Sequence, residues 1–367
     1  MQAVSRPSRP SADQLMALTA ELVDRPSVSF QEGPIVEWFE AELRSLDHLE
    51  VTRIGDNLVA RTSGQRPYRV MLAGHTDTVP PHGNEAAHRV DDVLWGLGSA
   101  DMKSGLACML WLARTVAEPV VELTFVLYAR EEVAGEHNGL AELYESAPEL
   151  LDADVAILGE PTGAAIEAGC QGGVRVRVEL AGARAHTARP WMGRNAIHRM
   201  GPILDVVAGW EPRRPVLAGC EYRESLQAVL VDGGIAGNVV PDAASVTIHH
   251  RFAPDRSAAE GLLMIEELLD PHLAHGDQIV VVDAVPAAGP AVDHPVLERL
   301  VTRNDIDVRA KLGWTDVARL AEHGVPAVNF GPGDPTVAHT KDEHVTGRSI
   351  DEVFGALWDL VTVDGDG

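Results

Sequence analysis

The run Arg69-Val70-Met71-Leu72-Ala73-Gly74-His75-Thr76-Asp77-Thr78-Val79-Pro80 decides the fold. Its first half is a short apolar strand, the kind that a sheet covered on both faces requires. Its second half turns abruptly to His, Thr and Asp. The C-terminal ends of such strands are where α/β proteins build their sites. Apolar runs at Val121–Tyr128, Asp154–Leu158 and Ala327–Phe330 behave alike, and Asn57–Ala60 is a further strand. Helices are expected between them. Residues 12–23 place Leu15, Met16, Leu18, Leu22 and Val23 at helical spacing behind a Ser11 cap. A second helix starts near Pro34 with Ile35, Trp38, Phe39 and Leu43 on one face, and a third covers Ser104–Ala117.

The middle of the chain reads differently. Gly173–Leu180 alternates Val174, Val176 and Val178 as a strand. A helix (Arg194–Trp210), two strands (Ser225–Val231, Ser245–Phe252), a helix (Arg256–Leu269) and a strand (Gln278–Val285) follow. That order is βαββαβ, the ferredoxin-like pattern, whose open sheet leaves edges in need of cover. After Pro290 the α/β pattern returns with helices at Val296–Arg303, Thr315–His323 and Ser349–Val361. The expected organisation is an N-terminal arm (1–10) and an α/β domain with a mixed central sheet (11–173 and 289–367). An α+β domain (174–288) is inserted into it.

The composition agrees. A chain of 367 residues suits about two domains and needs no disulfide staples. With 45% hydrophobic and 23% charged residues it is globular, and no apolar run approaches the roughly 18 residues of a membrane span. Thirty basic residues against 55 acidic give a net charge of −25, which repels nucleic acid and anionic membranes. Cys108, Cys170 and Cys220 form no paired motif, which fits a reducing cytoplasm. Arg6 and Arg9 are followed by no apolar segment, so residues 1–10 read as an arm rather than a leader.

Five segments concentrate ligating side chains. His75 can offer a ring nitrogen to a metal while Asp77 takes the other ring N–H. Asp101, in Gly96-Leu97-Gly98-Ser99-Ala100-Asp101, can bridge two metals or simply cap the next helix. Adjacent Glu131 and Glu132 repel each other unless a cation holds them, and one of them can accept a proton from water. Glu160 follows another strand, and His339 lies in a loop after Gly331-Pro332-Gly333-Asp334. Each alone has a bland reading as a hydrogen-bonded or surface residue. Together they supply nitrogen and oxygen donors without thiolate, a set for two hard-to-borderline divalent ions. Zinc is favoured, with cobalt or manganese as substitutes.

These segments, in this order, resemble the co-catalytic di-zinc aminoacylase and glutamate-carboxypeptidase-like metallopeptidases, over about residues 12–362. Within that family the resemblance is to the Gram-positive, actinobacterial branch that hydrolyses the amide of N-succinyl-L,L-2,6-diaminopimelate in lysine and cell-wall precursor synthesis. Hydrolysis of N-acetyl-ornithine or another N-acyl amino acid is the alternative. The resemblance implies that His75, Asp101 and Glu160 hold one zinc, that Asp101, Glu132 and His339 hold the other, and that Glu131 is the general base. Asp77 would orient His75, and the Asp101–Met102 peptide would be cis. The inserted domain matches the family's dimerisation or lid domain. His186, in Ala185-His186-Thr187-Ala188-Arg189-Pro190, matches a histidine that reaches the partner subunit's active site. Asn238 and Arg251 match substrate-binding residues. The implied enzyme is a cytoplasmic homodimer acting on a small N-acyl amino acid, with no nucleic-acid or membrane partner.

Two departures stand out. Cys170-Gln171-Gly172-Gly173 replaces an Arg-Arg-Gly stretch of the proteobacterial enzymes, so a basic contact to a substrate carboxylate is absent or replaced. His249-His250 precede Arg251 where an acidic or polar residue is usual. Of competing chemistries, a mononuclear iron oxygenase uses two histidines and a carboxylate but leaves Glu131 and a bridging Asp101 without roles. A non-catalytic binding module does not need both Glu131 and Glu132.

Overall fold

A computed structural model describes residues 8–363 of the chain. These fall into two compact units. Among the described residues, the first comprises 8–168, 291–309 and 319–363, and the second Gly169–Pro290 and Ala310–Ala318. Of the arm expected over residues 1–10, residues 1–7 lie outside the described residues. Arg9 pairs with Asp351 at 2.6 Å, and Pro10 is buried.

The first unit is built on an eight-stranded sheet. Its strands are β1 (Leu49–Ile54), β2 (Asn57–Thr62), β3 (Arg69–His75), β4 (Glu122–Tyr128), β5 (Val155–Leu158) and β6 (Ile166–Ala168), with two more from the C-terminal part of the chain. The second unit carries β7 (Gly172–Ala181), β8 (Ser225–Gly233), β9 (Ala243–Phe252) and β10 (Gln278–Val285). The first sheet is then completed by β11 (Val308–Ala310) and β12 (Ala327–Asn329), in the order β1-β2-β4-β3-β5-β12-β6-β11. Strands β4, β3, β5 and β12 are mutually parallel, while β1, β2 and β6 pair antiparallel, so the sheet is mixed. The parallel block reads as unbroken apolar sequence because both of its faces are covered. The register aligns His75 with Tyr128, Ala73 with Leu158, and Leu158 with Asn329. The chain therefore leaves all four strands at one edge of the sheet.

Helices α1 (Ala12–Val23), α2 (Gly33–Arg44) and α3 (Lys103–Thr115) follow the apolar spacing closely. Ser11 and Gln14 form a reciprocal capping box at the start of α1. Trp38, expected on the buried face of α2, is only half-buried and lies beneath the Arg25 guanidinium at 4.5 Å. A short helix α4 (Gly139–Ser146) is capped by Asn138.

In the second unit, β7, helix α5 (Ala196–Ala208), β8, β9, helix α6 (Ala258–Leu269) and β10 follow one another. The sheet order is β8-β9-β7-β10 with every pair antiparallel, which is the ferredoxin-like arrangement. Val174, Val176, Val178 and Leu180 of β7 and Val246, Ile248 and Phe252 of β9 pack against Met200, Ile203, Val207, Ile265 and Leu269 of the two helices. The edge strand β8 leaves Val229, Leu230 and Val231 exposed at 47, 68 and 61%. Helices α7 (Pro295–Asn304) and α8 (Gly347–Thr362) close the first unit, with α8 against α1, α3 and α7. Among the described residues, no helix is long and apolar enough to cross a membrane.

Candidate metal centre

His75 is the last residue of β3 and is 1% exposed. Two residues later Asp77 turns back beneath it, so that His75 Nδ1 lies 3.0 Å from the Asp77 carbonyl and 3.5 Å from its carboxylate. The Asp77 carboxylate has further work. It accepts from the Ser29 hydroxyl at 2.8 Å and from the backbone N–H groups of Glu131 and Glu132 at 3.0 and 3.1 Å. One buried carboxylate thus positions the histidine that ends β3 and the glutamate pair that follows β4. Arg130 makes the turn into that pair with a left-handed backbone, φ 63°, and its guanidinium is tied to Glu142 at 2.6 Å.

Asp101 does not cap α3. The capping position is Met102, which makes no side-chain cap bond, and the Asp101–Met102 peptide is cis. The Asp101 carboxylate instead reaches two imidazoles. Oδ1 is 3.0 Å from His75 Nε2, and Oδ2 is 3.4 Å from His339 Nε2. His339 Nε2 also lies 2.9 Å from Glu132 Oε1. Glu160, two residues beyond β5, is 6% exposed. Ligand atoms of His75, Asp101 and Glu160 lie within 4.8 Å of one another, as do those of Asp101, Glu132 and His339, and those of His75, Glu131 and Glu132. Asp101 belongs to two of these groups and can serve both with its separate oxygens.

The electrostatics fit a cation. Burial pulls the His75 imidazole down, but the carboxylates of Asp101, Asp77 and Glu160 outweigh it and raise the group well above its usual range. Hydrogen bonds to Asp101 and Glu132 push His339 up to about 10. Burial would raise Asp101 and Asp77, yet the imidazoles beside them hold both carboxyls below their ordinary values. The histidines act as stand-in cations in a nest of carboxylates, and a divalent ion held there would do that work more strongly, displacing the protons. The donors are imidazole and carboxylate, and the three cysteines are buried elsewhere as free thiols. This chemistry suits zinc and its borderline neighbours.

Besides Ser29, which donates to Asp77, two further residues around this centre escaped sequence reasoning. Glu343 is 1% exposed and threads its carboxylate into the glycine-rich loop, accepting from Gly98, Ala100 and Asp101 N–H at 3.1, 3.0 and 3.0 Å. Burial raises its carboxyl, while those three N–H groups pull the other way. Lys103 is buried nearby, with Nζ donating to the Arg25 carbonyl at 2.7 Å, and burial lowers it to about 7. Position is the only signal for Glu343: it falls four residues after His339.

The remaining expected residues lie in the second unit. Ala185–His186 pairs antiparallel with Val239–Val240, and Thr187 N–H donates to the Asn238 carbonyl at 3.1 Å, so His186 and Asn238 are brought together. His186 is exposed, and its Nδ1 accepts from Ala188 N–H at 3.0 Å, which places the ring proton on Nε2. Arg251 stands apart near the end of β9, opposite Gly173 and Ser225. Its neighbours differ: His250 is buried against Trp210 with Nδ1 3.0 Å from the Ser225 carbonyl, whereas His249 lies on the other face of the sheet.

Residues 71–362 match the model of peptidase family M20/M25/M40. The chain is 51% identical over 329 residues to the Mycobacterium tuberculosis protein assigned as succinyl-diaminopimelate desuccinylase DapE, covering 89% of this chain and 92% of that one. It is 42% identical over 358 residues to the succinyl-diaminopimelate desuccinylase of Corynebacterium glutamicum, covering 95% and 97%. The aminopeptidase PepT structure from Bacillus cereus superposes with a TM-score of 0.80 at 20% identity, covering 96% of this chain and 98% of that one, which is a likeness of fold.

Proposed function

The chain belongs to peptidase family M20/M25/M40, and from that premise we propose that it hydrolyses the amide of N-succinyl-L,L-2,6-diaminopimelate to succinate and L,L-diaminopimelate. The observation that carries the chemistry is the shared Asp101 carboxylate, set between His75 and His339 with Glu131 and Glu132 alongside. The substrate rests on the two desuccinylases that this chain resembles at 51 and 42% identity over nearly full length.

In this reading His75, Asp101 and Glu160 hold one divalent ion, and Asp101, Glu132 and His339 the other. Zinc is the resident metal and cobalt its substitute. Ions held by these residues would supply a Lewis acid for the amide carbonyl and would make a water molecule more acidic. Glu131 takes a proton from that water and returns it to the departing amine, which its neighbour Glu132, as a ligand, cannot do. Asp77 orients the His75 ring and anchors the backbone of both glutamates. The Nε2–H of His186 is a donor suited to the oxyanion that forms as the carbonyl is attacked. Asn238 and Arg251 bind the parts of the substrate that do not react. The protein works in the cytoplasm as a homodimer, whose contact the exposed edge strand β8 supports.

The test is amide hydrolysis by zinc-loaded protein, with N-succinyl-L,L-diaminopimelate and N-acetyl-ornithine run side by side and Glu131→Ala as control. Preference for the succinyl substrate, abolished in the control, is expected. Turnover of acetyl-ornithine alone would move the chain to another substrate within the family.

A further inference from the structure

The helix-free face of the four-stranded sheet carries basic groups that the structure leaves unpaired. Val174, Val176, Ile248 and Phe252 point into the core, so strand alternation puts Gly173, Arg175, His249 and Arg251 on the opposite face. The register sets Arg251 against Gly173 and His249 against Arg175, a two-by-two block across β7 and β9. Gly173 adds no side chain to it. A Cβ built there would sit 3.2 Å from His249 Nε2 and 3.7 Å from an Arg251 guanidinium nitrogen, so both tips lean over the glycine. Neighbouring like charges on adjacent strands are unfavourable unless something anionic joins them. Among the described residues, neither the Arg175 nor the Arg251 side chain forms a hydrogen bond or ion pair, although both are half-buried, and Asp283 acts on Arg251 only through its charge. Arg177, two positions along the same face, is paired with Glu179 at 2.6 Å. Asp283 faces Arg175 in register on β10 but forms no ion pair with it.

We propose that Arg175 and His249 join Arg251 to form a receptor for a carboxylate of the substrate. Gln171 is not free to join them, because its side-chain amide donates to the Arg223 carbonyl at 2.9 Å. The Arg251 guanidinium and the His249 imidazole over Gly173, with Arg175 beside His249 in register, match the charge and the donor chemistry of a carboxylate. Burial and the two arginines lower His249 to about 4, so at neutral pH it is an uncharged hydrogen-bonding ring. The identity of the ligand rests on the desuccinylase reading above; the receptor itself rests on the sheet.

The test uses zinc-loaded full-length protein carrying Arg175→Ala, Arg175→Lys, Arg251→Ala or Arg177→Ala. With N-succinyl-L,L-diaminopimelate, Arg175→Ala is expected to raise KM about tenfold or more and to change kcat by no more than about threefold, in line with the loss of one charge-assisted bond. Arg175→Lys should recover part of that loss, and Arg177→Ala should match the parent. Succinate and L,L-diaminopimelate are also titrated separately by calorimetry, and binding of at least one should weaken in Arg175→Ala. A KM and product affinities that stay within twofold of the parent in Arg175→Ala would overturn the receptor while leaving the desuccinylase reading intact. Weaker product binding in Arg175→Ala than in the parent, together with a parent that fails to hydrolyse the succinyl substrate, would support the receptor and overturn the reading.

Discussion

Replacing Glu343 by Gln tests whether the metal centre depends on a residue that touches no metal. The Glu343 carboxylate accepts three backbone N–H groups from the loop that delivers Asp101, two at Oε1 and one at Oε2. The Gln side chain keeps one oxygen and points an NH₂ at a remaining N–H. At least one charge-assisted bond, about 1.5–3 kcal/mol, is lost, and a donor is left facing a donor. Lys103, 2% exposed, also loses a nearby carboxylate. A total near 3 kcal/mol corresponds to a fall in Tm of about 6–12 °C for a unit of this size. The loop also positions Asp101, so zinc affinity should fall by about 10–100-fold, as it does when the supports of metal ligands are removed. The assay is a chelator-competition titration of zinc alongside thermal melts. Glu122→Gln is the control. Its buried carboxylate accepts from Thr62 Oγ1 and Arg66 N–H in the same unit, so it should lower Tm and leave zinc affinity alone. Equal zinc affinity in Glu343→Gln and parent protein would refute the reasoning, whatever the melts show.

Other outcomes follow from the same geometry. Glu131→Ala should lower kcat by about 10²–10⁴ while two zinc ions still bind, measured by turnover and metal analysis. Asp77→Asn places an amide NH₂ where N–H and hydroxyl donors now converge, so zinc affinity should drop about 10–100-fold in the same competition titration. His186→Ala should cost about 10²–10³ in kcat with zinc content unchanged; an unchanged kcat would remove the oxyanion role. In metal-free protein, His339 titrates near 10 when folded, against 6.5 as its ordinary value. Its raised value contributes stability that is full below about pH 6.5 and is lost as pH rises through about 10. Melts of chelator-treated protein should therefore weaken across that window. Apparent zinc affinity should move the opposite way, rising with pH as protons leave His75 and His339.

The elements that sequence made legible were those with a continuous burial pattern. Strands β3, β4 and β5 are buried along their length, and α1 buries a regular stripe behind its cap. Strand β1 was not recognised, because Leu49–Ile54 is half-exposed at the sheet edge and pairs only with β2, which leaves no clean alternation. The hairpin of His88–Val90 and Val93–Trp95, joined by His344–Thr346, consists of three-residue strands below the length that periodicity resolves. At the centre, the candidate ligands were readable because each follows an apolar strand or sits in a glycine-rich turn. Glu343 and Ser29 were not readable: they act on backbone N–H groups and on a second carboxylate, contacts that leave no residue pattern. Their partners become visible only when segments far apart in the chain meet.

That distance has a consequence for biosynthesis. The contact between Glu132 and His339 spans 207 residues, and that between Gly98 and Glu343 spans 245. The whole ferredoxin-like unit is translated in between. At about 5–20 residues per second, Glu132 leaves the ribosome roughly 10–40 s before its histidine exists. During that interval His75, Asp101 and Glu160 have all been made, and the second proposed ligand set is still incomplete. The proposed centre therefore matures late, and its last candidate ligand arrives with the C-terminal segment. A chain stalled or truncated before His339 would carry the acidic half of the centre without the residue that closes it.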